Sequence, residues 1–157
     1  MAYVDNNLLL SGSISSTGAV AGQTVFSVGT SVLSTNTVDL GTARDMGEGW
    51  DLFGRFQYTV AAVGGTSIEM QVISALDAAL SSSVTVLGTT GPIAVASLTL
   101  GSRFVCDINP VIGSKGQRYL GLRYISVGTT TAGSVFGDLG AEIQDGQKFY
   151  ANGFAVL

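Results

Sequence analysis

The sequence has no histidine, a single cysteine, two prolines and few charged residues. Only 11% of its 157 residues are Asp, Glu, Lys or Arg, less than half the usual share of about 25%. Without histidine the chain lacks the commonest general base and the imidazole ligand of most catalytic zinc sites. The lone Cys106 excludes a disulfide framework and a multi-cysteine zinc site. We therefore expect no catalytic residues, no metal and no cofactor, and interpret the protein as not an enzyme.

The distribution of charge excludes further classes. Seven basic residues are dispersed among eleven acidic ones, for a net charge of -4, whereas nucleic-acid binding requires clustered cations. The longest uncharged run, residues 6–38, is rich in Ser, Thr and Gly, which supply no continuous apolar face for a membrane helix. The N-terminus lacks the basic region of a signal peptide. We expect no nucleic-acid partner, no membrane partner, and a protein that stays in the cytoplasm where it is made.

What the sequence has in abundance is glycine, with 22 residues, and short segments of alternating apolar and polar residues. This alternation is typical of half-buried strands, and seven or eight of them without an amphipathic helix predict an antiparallel two-sheet β-sandwich. Periodicity does not separate a jelly roll from an immunoglobulin-like strand order. The predicted strands are 36–40 (ended by Gly41), 52–63, 66–76, 84–87, 93–95, 103–108, 118–127 and 135–143.

Three of these strands carry specific expectations. In 52–63, Phe56, Tyr58 and Val60 share one face, and Gly64-Gly65 predicts a hairpin to 66–76. The outer face of 66–76 is expected to be solvated. Segment 118–127 is apolar on both faces. This favours a central strand with one face covered by the core and the other by a second element.

The chain divides by composition into an N-terminal arm or edge strands (1–33), a β-sandwich (34–145) and an irregular C-terminal tail (146–157). Residues 11–22 have a linker-like composition. Two interpretations remain open: the arm extends to a neighbouring subunit, or it folds back onto its own sheet. On the first interpretation, removal of residues 1–30 leaves the sandwich folded.

The densest charged segment, residues 43–51, surrounds the only tryptophan. Its carboxylates do not follow the spacing of a calcium loop. Trp50 fits a carbohydrate platform, a protein-interface anchor or ordinary core packing. Arg118 and Arg123 are candidates to pair with carboxylates of a neighbour.

An ordered set of short motifs resembles the jelly-roll cement proteins that decorate the capsids of tailed bacteriophages. The motifs cover most of the chain: Leu8-Leu-Leu-Ser11, Ser34-Thr-Asn-Thr-Val-Asp-Leu-Gly41, Ala43-Arg-Asp-Met-Gly47, Ser74-Ala-Leu-Asp-Ala-Ala-Leu-Ser81, Gly101-Ser-Arg-Phe104, Arg118-Tyr-Leu-Gly-Leu-Arg-Tyr124 and Thr131-Ala-Gly133.

This resemblance implies a jelly-roll sandwich and a structural role on the outer surface of a virion. The implied partners are the major capsid protein and further copies of the chain, with a homodimer favoured over a homotrimer. The expected contacts lie in the arm, the loop before the second strand and the tail: Leu8, Leu9, Leu10, Val25, Phe26, Arg44, Asp45, Trp50, Phe149, Tyr150 and Phe154. The alternative is a carbohydrate-binding β-sandwich module on a virion surface.

Overall fold

The computed structural model describes residues 7–25, 31–44, 52–108 and 117–140. The regular structure in these ranges is all strand apart from one 3-10 turn at Val95–Ser97. The strands are β1 (Leu9–Ser11), β2 (Ser13–Ile14), β3 (Val20–Ala21), β4 (Gln23–Thr24), β5 (Ser31–Leu33), β6 (Val38–Arg44), β7 (Phe53–Gly64), β8 (Ser67–Ala75), β9 (Thr85–Ala94), β10 (Arg103–Asp107), β11 (Gln117–Val127) and β12 (Thr130–Gly140).

The strands form two main antiparallel sheets and confirm the predicted sandwich. Sheet one has the order β1-β12-β7-β10, with β4 also on β12. Sheet two has the order β5-β11-β8-β9, with β6 also on β11. The pairs are nested, since β1 joins β12, β6 joins β11, β7 joins β10 and β8 joins β9. An antiparallel ribbon nested in this way and rolled into two sheets is a jelly roll.

The core lies between the sheets and is built on aromatic side chains. Phe56 of sheet one meets Tyr124 of sheet two edge to face, with ring centroids 6.1 Å apart. Tyr58 and Phe104 make a second edge-to-face pair at 6.4 Å. Cys106 is buried as expected, and burial raises the pKa of its thiol to about 11. A thiol so protected from ionisation is a packing residue.

The central strand β11 has the predicted second cover over the part of its outer face at Tyr119 and Gly121, while Val127 at its other end is 55% exposed. The second cover is the chain's own β8–β9 loop, whose Leu80 packs with Ile73 and Ala75 outside sheet two. The loop is held by Asp77, whose carboxylate accepts hydrogen bonds from the Ser81 and Ser82 amides at 3.0 and 2.7 Å. Gly121 leaves the space that Leu80 occupies, because a Cβ there would overlap the leucine Cδ1. The outer face of β8 was wrongly expected to be solvated.

Two expectations for β7 were wrong. Val60 is 49% exposed, and Ala62 is buried in its place, because the register with β12 shifts between Val63 and Tyr58. Gly64-Gly65 turns the chain from sheet one into sheet two. It does not join a hairpin, because β7 pairs with the later strands β10 and β12.

Irregular pairing also explains the wrong strand limits. β6 continues through Gly41, whose φ of +76° is readily adopted by glycine. The two short strands predicted at 84–87 and 93–95 form the single strand β9, which follows β8 through two register shifts. β12 begins at Thr130, five residues before its predicted start, where shifts in its pairing with β7 interrupt the alternation.

The described part of the N-terminal segment folds back onto the sandwich. β1 and β4 both pair with the edge of β12 that β7 leaves free. Leu10 and Val25 are buried in the main core, and Leu9 is buried as well. The sandwich therefore includes strands from residues 1–33, and the arm shares its core.

Candidate functional site

Residues 12–22 leave the edge of sheet one between β1 and β4 and form a two-stranded hairpin, the N-terminal ribbon. Its strands β2 and β3 pair with each other, Ser13 with Ala21 and Ile14 with Val20. Both strands are exposed, and the segment carries no charged residue. Because Ile14 and Val20 are register partners, their side chains share one face of the ribbon.

The turn of the ribbon is organised by Ser15. Its amide donates to the Ala19 carbonyl at 2.9 Å, and its carbonyl accepts from the Gly18 amide at 2.9 Å. Its Oγ accepts from the Ala19 amide at 3.1 Å and bonds Thr17 Oγ1 at 2.8 Å. Gly18 has a φ of +79°, which closes the turn without the steric cost a side chain would add. The ribbon is thus a defined hairpin.

The base of the ribbon is fixed to both sheets. Ser11, which precedes it, bonds the buried Tyr124 hydroxyl of β11 at 2.8 Å. Gln23, which follows it, donates from Nε2 to the Leu33 carbonyl at 2.6 Å and accepts at Oε1 from the Thr35 amide at 2.9 Å. An exposed hairpin on a fixed base suits a binding element, because few residues lose freedom on binding.

The described charges near the strands are largely paired within the chain. Arg118 donates to Asp39 through Nε and Nη2 at 2.6 and 2.7 Å, and these bonds lower the pKa of the Asp39 carboxyl to about 2. Arg123 donates to Gln71 Oε1 at 2.8 and 2.6 Å. Both arginines therefore have partners within the chain, and their pairing with carboxylates of a neighbour stays a prediction.

A third pair lies on the outer face of sheet one. Arg55 donates to Asp138 at 3.0 Å from Nε and 2.5 Å from Nη2. Burial raises the pKa of the Asp138 carboxyl, and the arginine opposes that shift. Gly140 leaves room for the guanidinium, because a Cβ there would lie 2.6 Å from Arg55 Cζ. In pairs of this kind an arginine and an aspartate of the same chain neutralise each other. Uncharged surfaces therefore remain for contact with other molecules.

The predicted contact residues fall in three places. Leu9, Leu10 and Val25 are buried, and Leu8 packs against the core. For Leu9, Leu10 and Val25, contact with a partner requires the arm to leave its own sheet, whereas Leu8 is only partly buried. Arg44 ends strand β6, and nothing is described of its side chain. The remaining predictions lie outside the described residues: Phe26, Asp45, Trp50, Phe149, Tyr150 and Phe154.

Sequence reasoning missed the exposed pair Ile14 and Val20. The available signal was the symmetry of Ile14 and Val20 about the Ser15-Ser-Thr-Gly-Ala19 turn, in which polar and small residues are flanked by aliphatic ones.

Among the described residues, no group of three or more Cys, Asp or Glu side chains is placed to hold a metal ion. The same part of the chain contains no helix long and apolar enough to cross a membrane.

The fold and the site together define a jelly-roll domain with an exposed, uncharged ribbon at the edge of one sheet. The Bbp16 family model matches residues 11–138, and the chain belongs to the Bbp16 family. No curated protein matches the chain.

Proposed function

We propose that the protein is a structural component of a virion. It binds the outside of an icosahedral phage capsid, cements neighbouring major capsid subunits and stabilises the expanded shell. It acts there as a homo-oligomer, with a dimer favoured, after synthesis in the host cytoplasm. The sequence motifs that resemble those of phage cement proteins support this role.

The observation that carries the proposal is the N-terminal ribbon. Its strands pair only with each other in the described structure, so its two outer edges are free to add a strand from a neighbouring protein. Val20 is 52% exposed and its partner Ile14 lies beside it. An isolated two-stranded ribbon is marginally stable in water, and contact with a partner would stabilise it.

The remaining features fit attachment to a repetitive surface. An interface of standard size buries about 800 Å² per partner, roughly a tenth of the 9009 Å² that this chain exposes. Such a contact is modest alone, but an oligomer that touches several capsid subunits gains avidity through effective concentration. A protein that binds only the assembled shell stabilises it by mass action.

The proposal is tested by adding the purified chain to expanded capsids that lack it and measuring co-sedimentation. We expect saturable binding by the wild type. We expect an affinity lower by about tenfold or more for an Ile14→Asp, Val20→Asp double variant, because a partner would have to desolvate two carboxylates. The matched control is Leu76→Asp, which changes an aliphatic residue that is 54% exposed in the β8–β9 loop.

Absence of wild-type binding contradicts the cement role. Equal binding by the double variant contradicts the role of the ribbon. A glycan array run in parallel tests the carbohydrate-binding alternative, which predicts glycan retention and no attachment to shells.

A further inference from the structure

The β8–β9 loop, residues 76–84, lies outside sheet two and is anchored on it by one buried side chain. Leu80 is 3% exposed and is the only buried residue of the loop. It packs on Ile73 and Ala75, which are fully buried, and its Cδ1 lies where a Cβ of Gly121 would otherwise fit. We call the surface beneath Leu80, formed by Ile73, Ala75 and Gly121, the socket.

The hydrogen bonds that shape the loop are internal to it. The Asp77 carboxylate accepts from the Ser81 and Ser82 amides and from the Ser81 hydroxyl, the last at 2.7 Å. The Leu76 amide donates to the Ser82 carbonyl, and the Leu80 amide donates to the Asp77 carbonyl, both at 3.1 Å. Because none of these bonds joins the loop to the sheet, all of them stay intact if the loop lifts away as a unit.

Two residues of the loop have a strained backbone. Leu80 has a φ of +55° and Ser83 a φ of +51°, and no other non-glycine residue in the described part of the chain has a positive φ. The left-handed conformation is costly for a residue with a side chain, and it persists only where the surroundings hold it. Burial of Leu80 in the socket supplies that hold, so lifting of the loop allows the strain to relax.

Gln117 of β11 makes a second contact with the loop. Its Nε2 donates to the carbonyl of the strained Ser83. Its Oε1 is buried and has no hydrogen-bond partner among the described residues, which costs free energy because the oxygen has lost its contact with water. Water that enters when the loop lifts replaces the lost bond and satisfies Oε1 as well. The loss of this contact therefore adds little to the cost of opening.

We propose that the β8–β9 loop is a clip that opens and closes while the sandwich stays folded. In the closed state Leu80 fills the socket, and in the open state the socket presents a concealed aliphatic surface of sheet two to solvent. Opening removes the contacts of one buried side chain and one hydrogen bond, whereas access to the main core requires the two sheets to separate. Local openings of this kind have free energies well below that of global unfolding. The clip belongs to sheet two and does not depend on the N-terminal ribbon or on a capsid.

The test is labelling of the folded, full-length Ala75→Cys variant with an excess of a maleimide, followed by mass spectrometry of its peptides. Position 75 lies beneath Leu80 and reacts only when the clip opens. The native Cys106, 4% exposed between the sheets, reports opening of the main core in the same molecule. We expect position 75 to react about tenfold or more faster than Cys106.

A second reporter, Ile73→Cys, places the thiol on the other buried side chain of the socket. Cysteine is larger than alanine but smaller than isoleucine, so this variant does not push the clip open by added volume. We expect position 73 to react faster than Cys106 by a similar factor. The ratio to Cys106 also corrects for any loss of global stability in either variant.

Two leucines of the loop make a matched pair in the Ala75→Cys background. Leu80→Ala removes the anchor and is expected to raise the labelling rate at position 75, relative to Cys106, by about tenfold. Leu76→Ala changes a leucine that is 54% exposed and is expected to leave this ratio unchanged.

Reporter thiols that react no faster than Cys106 would show that the socket opens only together with the main core, and would overturn the inference. A fast reaction at position 75 that position 73 does not share has the same consequence, because the added volume at position 75 then explains it. A Leu76→Ala variant that opens the socket as far as Leu80→Ala does would also overturn it, since Leu80 would then not be the anchor.

Discussion

Deletion of residues 1–30 is expected to abolish the cooperative unfolding transition of the sandwich. The deletion removes β1 and β4, and with them the buried side chains of Leu9, Leu10 and Val25. Each such side chain contributes about 2 kcal/mol by burial, and a domain is stable by only about 5 to 15 kcal/mol in total. The deletion also removes Ser11, the hydrogen-bond partner of the buried Tyr124 hydroxyl. Thermal unfolding followed by near-ultraviolet circular dichroism measures the loss.

The control replaces only residues 13–21 with a short Gly-Ser turn between Gly12 and Gly22. This variant keeps both edge strands and all three buried side chains, so we expect it to melt within a few degrees of the wild type. A 1–30 deletion that melts cooperatively at the wild-type temperature would show that the arm is dispensable for the fold, as the first of the two interpretations of its composition holds.

Gly88→Ala is expected to destabilise the protein by about 3 kcal/mol. Gly88 in β9 approaches Asp107 in β10, where the edges of the two sheets meet. A Cβ at this position would overlap the Asp107 carbonyl oxygen, which belongs to the backbone. The clash is relieved only if one edge strand shifts and weakens its pairing with β7 or β8.

Gly91→Ala in the same strand is the matched control. A Cβ at Gly91 meets no atom within 4 Å, but its φ is +66°, so we expect a cost of about 1 kcal/mol from backbone strain alone. Urea unfolding of both variants measures the difference. Equal destabilisation would contradict the close approach of the two sheets at Gly88.

Local alternation predicted the strands that present one uninterrupted apolar face to the core. β8, β10 and β11 fall where the pattern indicated, because each contributes one uninterrupted face to the core between the sheets. A second cover on part of β11 was also predictable, since apolar residues occupy both of its faces. The jelly-roll strand order was not predictable from periodicity, because pairing of β1 with β12 depends on residues more than a hundred positions apart.

The errors cluster where tertiary contacts override local pattern. Gly41 was predicted to end a strand, but a strand passes through it beside an irregular pairing with β11. Val60 follows the apolar alternation and is nevertheless exposed, because the pairing with β12 shifts register on both sides of Val60, and Ala62 is buried instead.

The candidate site was predictable only in outline. Composition marked residues 11–22 as unusual, but it did not distinguish the buried Leu10 from the exposed Val20. That difference arises because β1 and β4 pair with the edge of β12, whereas the segment between them lies outside the sheet. The internal partners of Arg118 and Arg123 likewise depend on strand register.

The central claim is that this protein cements a capsid, and the melting temperature of the shell tests it most directly. Expanded capsids that lack the protein are compared by calorimetry with capsids saturated by the wild type and with capsids treated with the 13–21 replacement. The account predicts a higher melting temperature with the wild type and little change with the replacement. A melting temperature that is unchanged after the wild type has saturated the shell would contradict it.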